Sequence, residues 1–372
     1  MRLAPLLAAL SLAACASLES PTSTNPPTQP WQPPLATATA TPEITVTPTV
    51  SPSSTTTPTP PTPTTAPISP ANARGLAQQK KIQFNRWELV LAAAWSPDGK
   101  TLAISAGDQI HLVHADTLEE RLTLPAGVWT PSLAFSPDGR ALASGGRDGI
   151  VRMWDADSGQ ARLSIPAHKK GVNAVAFSPD GRLLASAGND GMVRLWDAKS
   201  GDFQGQMIGG AYAIPSVLFT QDGASLAIAN GDVIRLRDVQ TQRFVLTLRG
   251  ESSFYSLALA PDGQRLASGD SDNTILLWDL ASEKVIYRLM AHSGEDGRAS
   301  ALVWRLAFSP DGRSLASAGG DQTVRIWDVA RGELLSTLSG HTAAVTSLAF
   351  SPDGRWLASG GLDAAVFIWG AK

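Results

Sequence analysis

Residues 345–369 read VTSLAFSPDGRWLASGGLDAAVFIW and contain the pattern from which the fold can be inferred. A run of apolar and small residues leads into Ser-Pro-Asp-Gly at 351–354, a second run follows, and a glycine-containing turn at 360–363 precedes a third run. Proline presets φ within such a turn, and glycine tolerates a positive φ at its end. The stretch therefore predicts three short β-strands at residues 345–350, 356–359 and 364–369. Residues 333–338 of the preceding unit predict the fourth strand of the repeat.

The Ser-Pro-Asp-Gly turn, exact or varied, recurs at a nearly fixed period. Its seven occurrences are separated by 40, 42, 42, 40, 49 and 42 residues. Such a period indicates a repeat architecture, and short strands without helical periodicity exclude a helical solenoid. The turns begin at Ser96, Ser136, Ser178, Thr220, Ala260, Ser309 and Ser351.

Most units end their third strand on tryptophan. A Trp-Asp pair does so at Trp154, Trp196, Trp278 and Trp327, and the last unit has Trp369-Gly370. From about Gln78 onward, the chain resembles the WD40 repeat family. The Gly-His step of that family is kept at Gly340-His341, and the histidine alone at His168 and His292. The resemblance implies an all-β fold, a seven-bladed WD40-type β-propeller with one four-stranded blade per unit.

The resemblance also implies a buried hydrogen-bond relay, from a turn aspartate to histidine, then to serine, then to the tryptophan indole. Three units contain all four residues by position. They are His168, Ser186, Asp190 and Trp196; His292, Ser317, Asp321 and Trp327; and His341, Ser359, Asp363 and Trp369. An Asp-His-Ser set also suggests a hydrolase. We disfavour that interpretation because the set repeats within packed sheets, where a satisfied polar network is structural.

The other blades are less regular. The units of Ser144 and Ser268 lack the histidine, and Val113 and Arg237 stand in place of tryptophan in the first and fourth units. The last unit has no fourth strand after residue 369. We expect residues 80–84 to supply that strand, because closing the ring removes an exposed sheet edge.

The N-terminal residues have the layout of an export signal. Arg2 precedes an apolar run at residues 3–12, which is too short to span a bilayer. Residues 12–15, Leu-Ala-Ala-Cys, resemble the lipobox of bacterial lipoproteins, which implies cleavage after residue 14 and lipidation of Cys15. The alternative is an ordinary signal peptide with a chance cysteine. We expect an exported chain anchored to a bacterial membrane, facing the outside of the cell or the periplasm.

Residues 15–73 form the predicted tether. Their Pro, Thr and Ser content cannot build a core and favours an extended, disordered linker. The same composition suits a bare linker or an O-glycosylated stalk. The predicted domains are therefore a signal peptide at 1–14, a lipidated, disordered tether at 15–73 and the propeller at 74–372.

Composition excludes several functions. The net charge is −3 and no Lys/Arg cluster is present, which argues against nucleic-acid binding. No His/Cys/Asp set has zinc spacing and no glycine-rich phosphate loop follows a strand, so we expect no metal or cofactor. His111 and His114 point to opposite faces of a strand, and local packing is their expected role.

Loops that join one blade to the next line the narrow face in the WD40 family, and partners often bind there. The longest spacing places extra residues in one such loop. Large aromatic residues begin several blades and suit a protein interface, a sugar-binding face, or packing under loops. The candidate face comprises Trp87, Trp129, Lys169, Lys170, Tyr212, Phe254, Tyr255, Glu295, Asp296, Arg298 and Trp304.

The sequence thus favours a non-catalytic protein–protein interaction scaffold at the bacterial cell surface or envelope. The partner class is another protein or peptide, the membrane is contacted through the lipid alone, and the propeller is expected to be a monomer. The alternative is a propeller that binds carbohydrate or another ligand without catalysis. An enzyme is disfavoured because fold alone does not assign a reaction.

Lipidation of Cys15 is directly testable. Cells expressing the protein are grown with a labelled fatty acid. The wild-type chain should incorporate the label, because Cys15 would carry the two or more acyl chains that stable anchoring needs. The Cys15→Ser variant should carry no label. Label that persists in this variant would exclude the proposed anchor.

Overall fold

The computed structural model describes residues 66–292 and 302–371. These residues form seven four-stranded antiparallel sheets, the blades of a β-propeller, and the predicted all-β, seven-bladed fold is confirmed. Cys15, the tether up to residue 65, and the loop residues Glu295, Asp296 and Arg298 lie outside the described residues. Within the described part, no helix is long and apolar enough to cross a membrane.

A 3-10 turn at Ala73–Gly75 leads into β1 (Leu76–Gln83). Blade 1 contains β2 (Val90–Trp95), β3 (Thr101–Ala106), β4 (Gln109–His114) and β5 (Glu120–Leu124). Blade 2 contains β6 (Ser132–Phe135), β7 (Ala141–Gly145), β8 (Ile150–Asp155) and β9 (Ala161–Pro166). Blade 3 contains β10 (Val172–Phe177), β11 (Leu183–Gly188), β12 (Met192–Asp197) and β13 (Phe203–Ile208).

Blade 4 contains β14 (Ser216–Phe219), β15 (Ser225–Asn230), β16 (Val233–Asp238) and β17 (Phe244–Arg249). Blade 5 contains β18 (Phe254–Leu259), β19 (Arg265–Asp270), β20 (Thr274–Asp279) and β21 (Lys284–Met290). Blade 6 contains β22 (Val303–Phe308), β23 (Ser314–Gly319), β24 (Val324–Asp328) and β25 (Glu333–Leu338). Blade 7 contains β26 (Val345–Phe350), β27 (Leu357–Gly361), β28 (Ala365–Ala371) and β1.

The Ser-Pro-Asp-Gly turn joins the first two strands of a blade. In blade 2, the Ser136 hydroxyl donates to Asp138 Oδ1 at 2.6 Å and accepts from the backbone N–H of Ala141 at 2.9 Å. Gly139 has a φ of 72°, which a side chain rarely tolerates. The turn is therefore set by its own hydrogen bonds, and each copy starts a hairpin at the same register.

The core lies between neighbouring blades. One cluster joins Ala143 and Met153 of blade 2 to Val175, Leu184 and Trp196 of blade 3. A leucine at the start of the second strand of every blade, from Leu102 in blade 1 to Leu357 in blade 7, is at most 1% exposed. Burying one such side chain contributes about 2 kcal/mol. Each blade is therefore held by two neighbours.

The seventh blade combines both ends of the described chain. Strand β1 pairs antiparallel with β28, with Ile82 opposite Val366 and Leu76 opposite Ala371. The pairing extends beyond residues 80–84 in the N-terminal direction and is irregular between Gln78 and Lys80. The outer edge of β28 is thereby covered, and the ring has no open blade.

Residues that precede the predicted propeller boundary at residue 74 also pack on the ring. Ile68 is 1% exposed, and its backbone N–H donates to the carbonyl of Gly354 at 2.8 Å. Ile68 and the buried Ala73 join the cluster that contains Leu348 and Trp369. Composition placed these residues in the tether because a single isoleucine among Pro and Ser carries no periodic signal.

Ring closure predicts a large effect of truncation. A protein that begins at Trp87 lacks β1 and Ile68 and leaves the edge of β28 exposed. We expect it to melt at least about 5 °C below a protein that begins at Ala66, and to aggregate. Thermal unfolding followed by circular dichroism provides the measurement. Equal melting temperatures would show that β1 does not support the ring.

Candidate functional site

Three blades bring the four relay residues together. In blade 3, His168 Nδ1 lies 2.8 Å from Asp190 Oδ1, and His168 Nε2 lies 2.9 Å from Ser186 Oγ. The Trp196 indole donates to the same serine oxygen at 2.9 Å. The histidine follows the outer strand of blade 2, so the relay also links two blades.

The other two complete sets repeat this geometry. His292 lies 2.8 Å from Asp321 and 2.9 Å from Ser317, which accepts from Trp327 at 3.0 Å. His341 lies 3.0 Å from Asp363 and 2.9 Å from Ser359, which accepts from Trp369 at 2.8 Å.

Burial decides what the relay can do chemically. The three serines are 0% exposed, and the side chains of the three histidines are at most 1% exposed. Each serine accepts from an indole and contacts a histidine, so its hydrogen-bonding capacity serves the fold. A substrate has no path to these hydroxyls, and the arrangement stiffens the blade instead of presenting a nucleophile.

The blades without a relay histidine fill its space differently. A Cβ at Gly188 would lie 2.4 Å from the ring of His168, so glycine is required beside the histidine. In blade 5 the equivalent of Gly188 is Asp270, which is buried and accepts from the backbone N–H groups of Asp272 and Thr274 at 3.0 and 2.9 Å. Burial raises the pKa of the Asp270 carboxyl.

Blade 4 uses an amide at the same place. Asn230 is 5% exposed and donates to the carbonyl of Tyr212 at 2.6 Å. Asp272 of blade 5 corresponds by position to the relay residue Asp190, but it is exposed. Asp270, two residues earlier, makes the buried hydrogen bonds instead. The absence of the relay histidine from this blade is the sequence signal that could have identified Asp270.

His111 and His114 lie on the same strand but do not form a common site. His111 is buried, its Nδ1 lies 2.7 Å from Glu120 Oε2, and its ring centre is 4.9 Å from that of Phe84. His114 is exposed. Across residues 66–292 and 302–371, no group of three or more His, Cys, Asp or Glu side chains could hold a metal ion.

The first strand of each blade lies innermost, against the first strands of the neighbouring blades. Five of these inner strands contain a register shift at the same place, which leaves one residue outside the regular ladder. Bulges of this kind commonly redirect a side chain near a functional site. The bulged residues are Leu91, Asn173, Tyr255, Trp304 and Thr346, and blades 2 and 4 have Pro131 and Pro215 there.

These seven residues form a ring that we call the channel mouth. On blades 5 and 6 the mouth is aromatic, because the rings of Tyr255 and Trp304 meet edge to face with centres 6.0 Å apart. Both side chains are half-buried, and so is that of Trp129, which lies just before Pro131. These three aromatic residues therefore present part of their surface near the channel.

The remaining predicted residues of the candidate face differ in exposure. Trp87 is 72% exposed with the Arg86 guanidinium 4.4 Å from its ring centre, and Tyr212 is 58% exposed. Lys169 and Lys170 are exposed in the loop that enters blade 3.

Phe254 is a correction to the predicted face. It is 2% exposed and packs edge to face on Trp278, with ring centres 6.5 Å apart. A Cβ at Gly250 would lie 2.4 Å from the Phe254 ring. The ring thus fills space in a blade without a relay histidine, and it is unavailable to a partner.

The pKa shifts of the relay predict a pH-dependent stability. Burial lowers the pKa of His168 and His292 by more than Asp190 and Asp321 raise it. The unfolded chain protonates these histidines below about pH 6.5, so it binds more protons than the folded chain there. The free energy of unfolding should therefore be highest above that pH and should fall as the pH decreases.

Urea unfolding at about pH 7.5 and about pH 5.5 measures this decrease. A His168→Gln/His292→Gln variant should be less stable at the higher pH, yet lose less stability on acidification. An equal loss in the wild type and the variant would contradict the assignment to these histidines.

The WD40 family model, described as WD domain, G-beta repeat, matches five segments. They are residues 124–155, 159–197, 242–279, 283–328 and 332–370. The two repeats outside these segments are those in which Val113 and Arg237 pair with the second strand where the others have tryptophan.

Short segments also resemble other proteins. The chain is 48% identical over 48 residues to the small ribosomal subunit protein RACK1z of Arabidopsis thaliana, which covers 13% of this chain and 15% of that protein. It is 41% identical over 44 residues to the periodic tryptophan protein 2 homolog of Dictyostelium discoideum, covering 12% of this chain and 5% of that protein. A WD repeat-containing protein of Nostoc is 44% identical over 43 residues, covering 12% and 3%. Each match spans a small part of the relative. The five segments matched by the family model together make up more than half of the chain, which therefore belongs to the WD40 repeat family.

Proposed function

We propose that this WD40 propeller is a protein-interaction scaffold whose partner binds at the channel mouth. The observation that carries the proposal is the bulged, half-exposed pair Tyr255 and Trp304, with Trp129 nearby. WD40 propellers are generally interaction scaffolds without catalytic activity. Aromatic side chains that keep one surface open are the residues that most often dominate the binding energy of interfaces.

The rest of the chain supports a displayed module. The lipobox-like residues 12–15 and the Pro/Thr/Ser-rich segment that follows would hold the propeller away from a bacterial membrane. A rigid ring on an extended tether can sample a large volume around its anchor. We propose that the scaffold acts at the cell surface or envelope and is a monomer.

We also propose that the scaffold is not an enzyme. Its most hydrolase-like sets are the three relays, whose serines are 0% exposed. A reaction would need a nucleophile or base within reach of substrate, and the relay residues offer none. The partner-binding role uses the exposed parts of the ring instead.

Affinity capture tests the channel mouth. The propeller of residues 66–372 is immobilised and incubated with membrane extract, beside a Trp129→Ala/Tyr255→Ala/Trp304→Ala variant. We expect the variant to lose the captured protein, because each removed aromatic anchor weakens binding by about tenfold or more. A Phe203→Ala/Phe244→Ala/Val285→Ala variant removes exposed apolar residues from outer strands and should capture normally.

Capture of the same proteins by all three forms would place the binding surface elsewhere. Recovery of polysaccharide in place of protein, lost in the channel-mouth variant, would instead support the carbohydrate-binding alternative.

A further inference from the structure

One residue of the inner strands departs from the internal repeat. Arg305 on β22 stands opposite Ala318, and the equivalent inner-strand residues of the other six blades are all small. Those six side chains are buried between blades, whereas Arg305 is half-buried. The equivalents are Ala92, Ser132, Ala174, Ser216, Ser256 and Ser347.

A slot that accommodates alanine or serine cannot contain an arginine. The Arg305 guanidinium instead reaches the carbonyl of Pro131, to which Nη2 donates at 2.9 Å. Pro131 precedes the inner strand of blade 2, and blade 2 is not a neighbour of blade 6. The side chain therefore crosses from blade 6 to blade 2 and ends on Pro131, which is itself a residue of the channel mouth.

The charge of Arg305 is unusual in its surroundings. The seven inner strands contain no other charged residue. Three other arginines of similar exposure, Arg152, Arg194 and Arg325, each pair with a turn aspartate at 2.6 to 3.2 Å. Among the described residues, Arg305 has no such carboxylate at ion-pair distance, and burial lowers its pKa.

We propose that Arg305 binds a carboxylate of an acidic peptide segment that enters the channel mouth. This inference rests on the proposed function and names the chemistry of the partner. A guanidinium carries five N–H donors in a planar fork that matches a carboxylate, and the Pro131 carbonyl uses one of them. Tyr255 and Trp304 would pack on the peptide beside its carboxylate.

Electrostatics favours this role over that of a brace across the ring. A half-buried cation without a counter-charge among the described residues loses part of its hydration, and a hydrogen bond to one carbonyl offsets that cost incompletely. A neutral donor would hold Pro131 with a smaller desolvation cost. An incoming carboxylate would supply an opposite charge in a place where neighbouring protein partly excludes water, so the attraction is stronger than at the open surface.

The test uses the purified full-length chain and a fluorescein-labelled peptide of six glutamates, with binding followed by anisotropy. We expect saturable binding that weakens with salt, and no binding of a matched peptide of six glutamines. The Arg305→Gln variant should bind at least about tenfold more weakly, and Arg305→Lys should fall in between because it keeps the charge but loses the fork.

Arg249→Gln is the matched control, since it removes one exposed positive charge from the outer strand of blade 4. Its affinity should stay within about twofold of wild type, as expected for an exposed charge. A melting curve of each variant separates loss of binding from loss of folding. Free glutarate should compete weakly, because it lacks the peptide that contacts the aromatic residues.

Three results would overturn the proposal. They are failure of the glutamate peptide to bind, equal weakening by Arg305→Gln and Arg249→Gln, and glutarate binding as tightly as the peptide. An Arg305→Gln variant that melts at lower temperature while the wild type binds no peptide would assign Arg305 as a brace. None of these results affects affinity capture by the aromatic residues, so the proposed function is tested separately.

Discussion

The pairing of β1 with β28 is the contact on which the ring depends. Six blades are made from contiguous chain, but the seventh needs a strand from the opposite end of the propeller. Ile68 and Ala73 add apolar contacts to the same blade. Because each blade is stabilised by two neighbours, an incomplete seventh blade would weaken both adjoining cores and expose a strand edge. The closing strand also joins the folded ring to the segment that precedes it.

Within this ring, a blade contains either a relay histidine next to a glycine or a larger polar residue in place of that glycine. A histidine requires glycine beside it, as at Gly188, whereas a blade without histidine has room for Asp270 or Asn230. The two choices are complementary in volume and in hydrogen bonding. This complementarity lets irregular blades coexist with regular ones, because Asp270 and Asn230 are hydrogen-bonded at that position.

Because the blades are repeats, residues at equivalent positions can be compared, and a residue that differs from its six equivalents is a candidate for function. Seven equivalent positions at the channel mouth contain residues of very different character, and seven equivalent positions just below contain six small residues and Arg305. Packing alone accounts for the small residues. The aromatic side chains of Tyr255 and Trp304 at two of the bulges, and the arginine that crosses the channel, are departures from the repeat that packing does not require. Partner binding at the mouth would give them a role.

The number of blades and the position of their turns could be predicted from the sequence, because Ser-Pro-Asp-Gly acts through local backbone geometry and recurs at a regular interval. The sequence also identified which residues are equivalent between blades, including the relay sets and the aromatic residues near the mouth. The tertiary structure alone decided which of those aromatics are exposed, since Phe254 is covered by Trp278 and Tyr255 is not. It likewise placed Ile68 against blade 7, buried Asp270 where other blades have glycine, and brought Arg305 to Pro131. Each of these outcomes depends on space left by residues in another strand or blade, and a local pattern contains no information about that space.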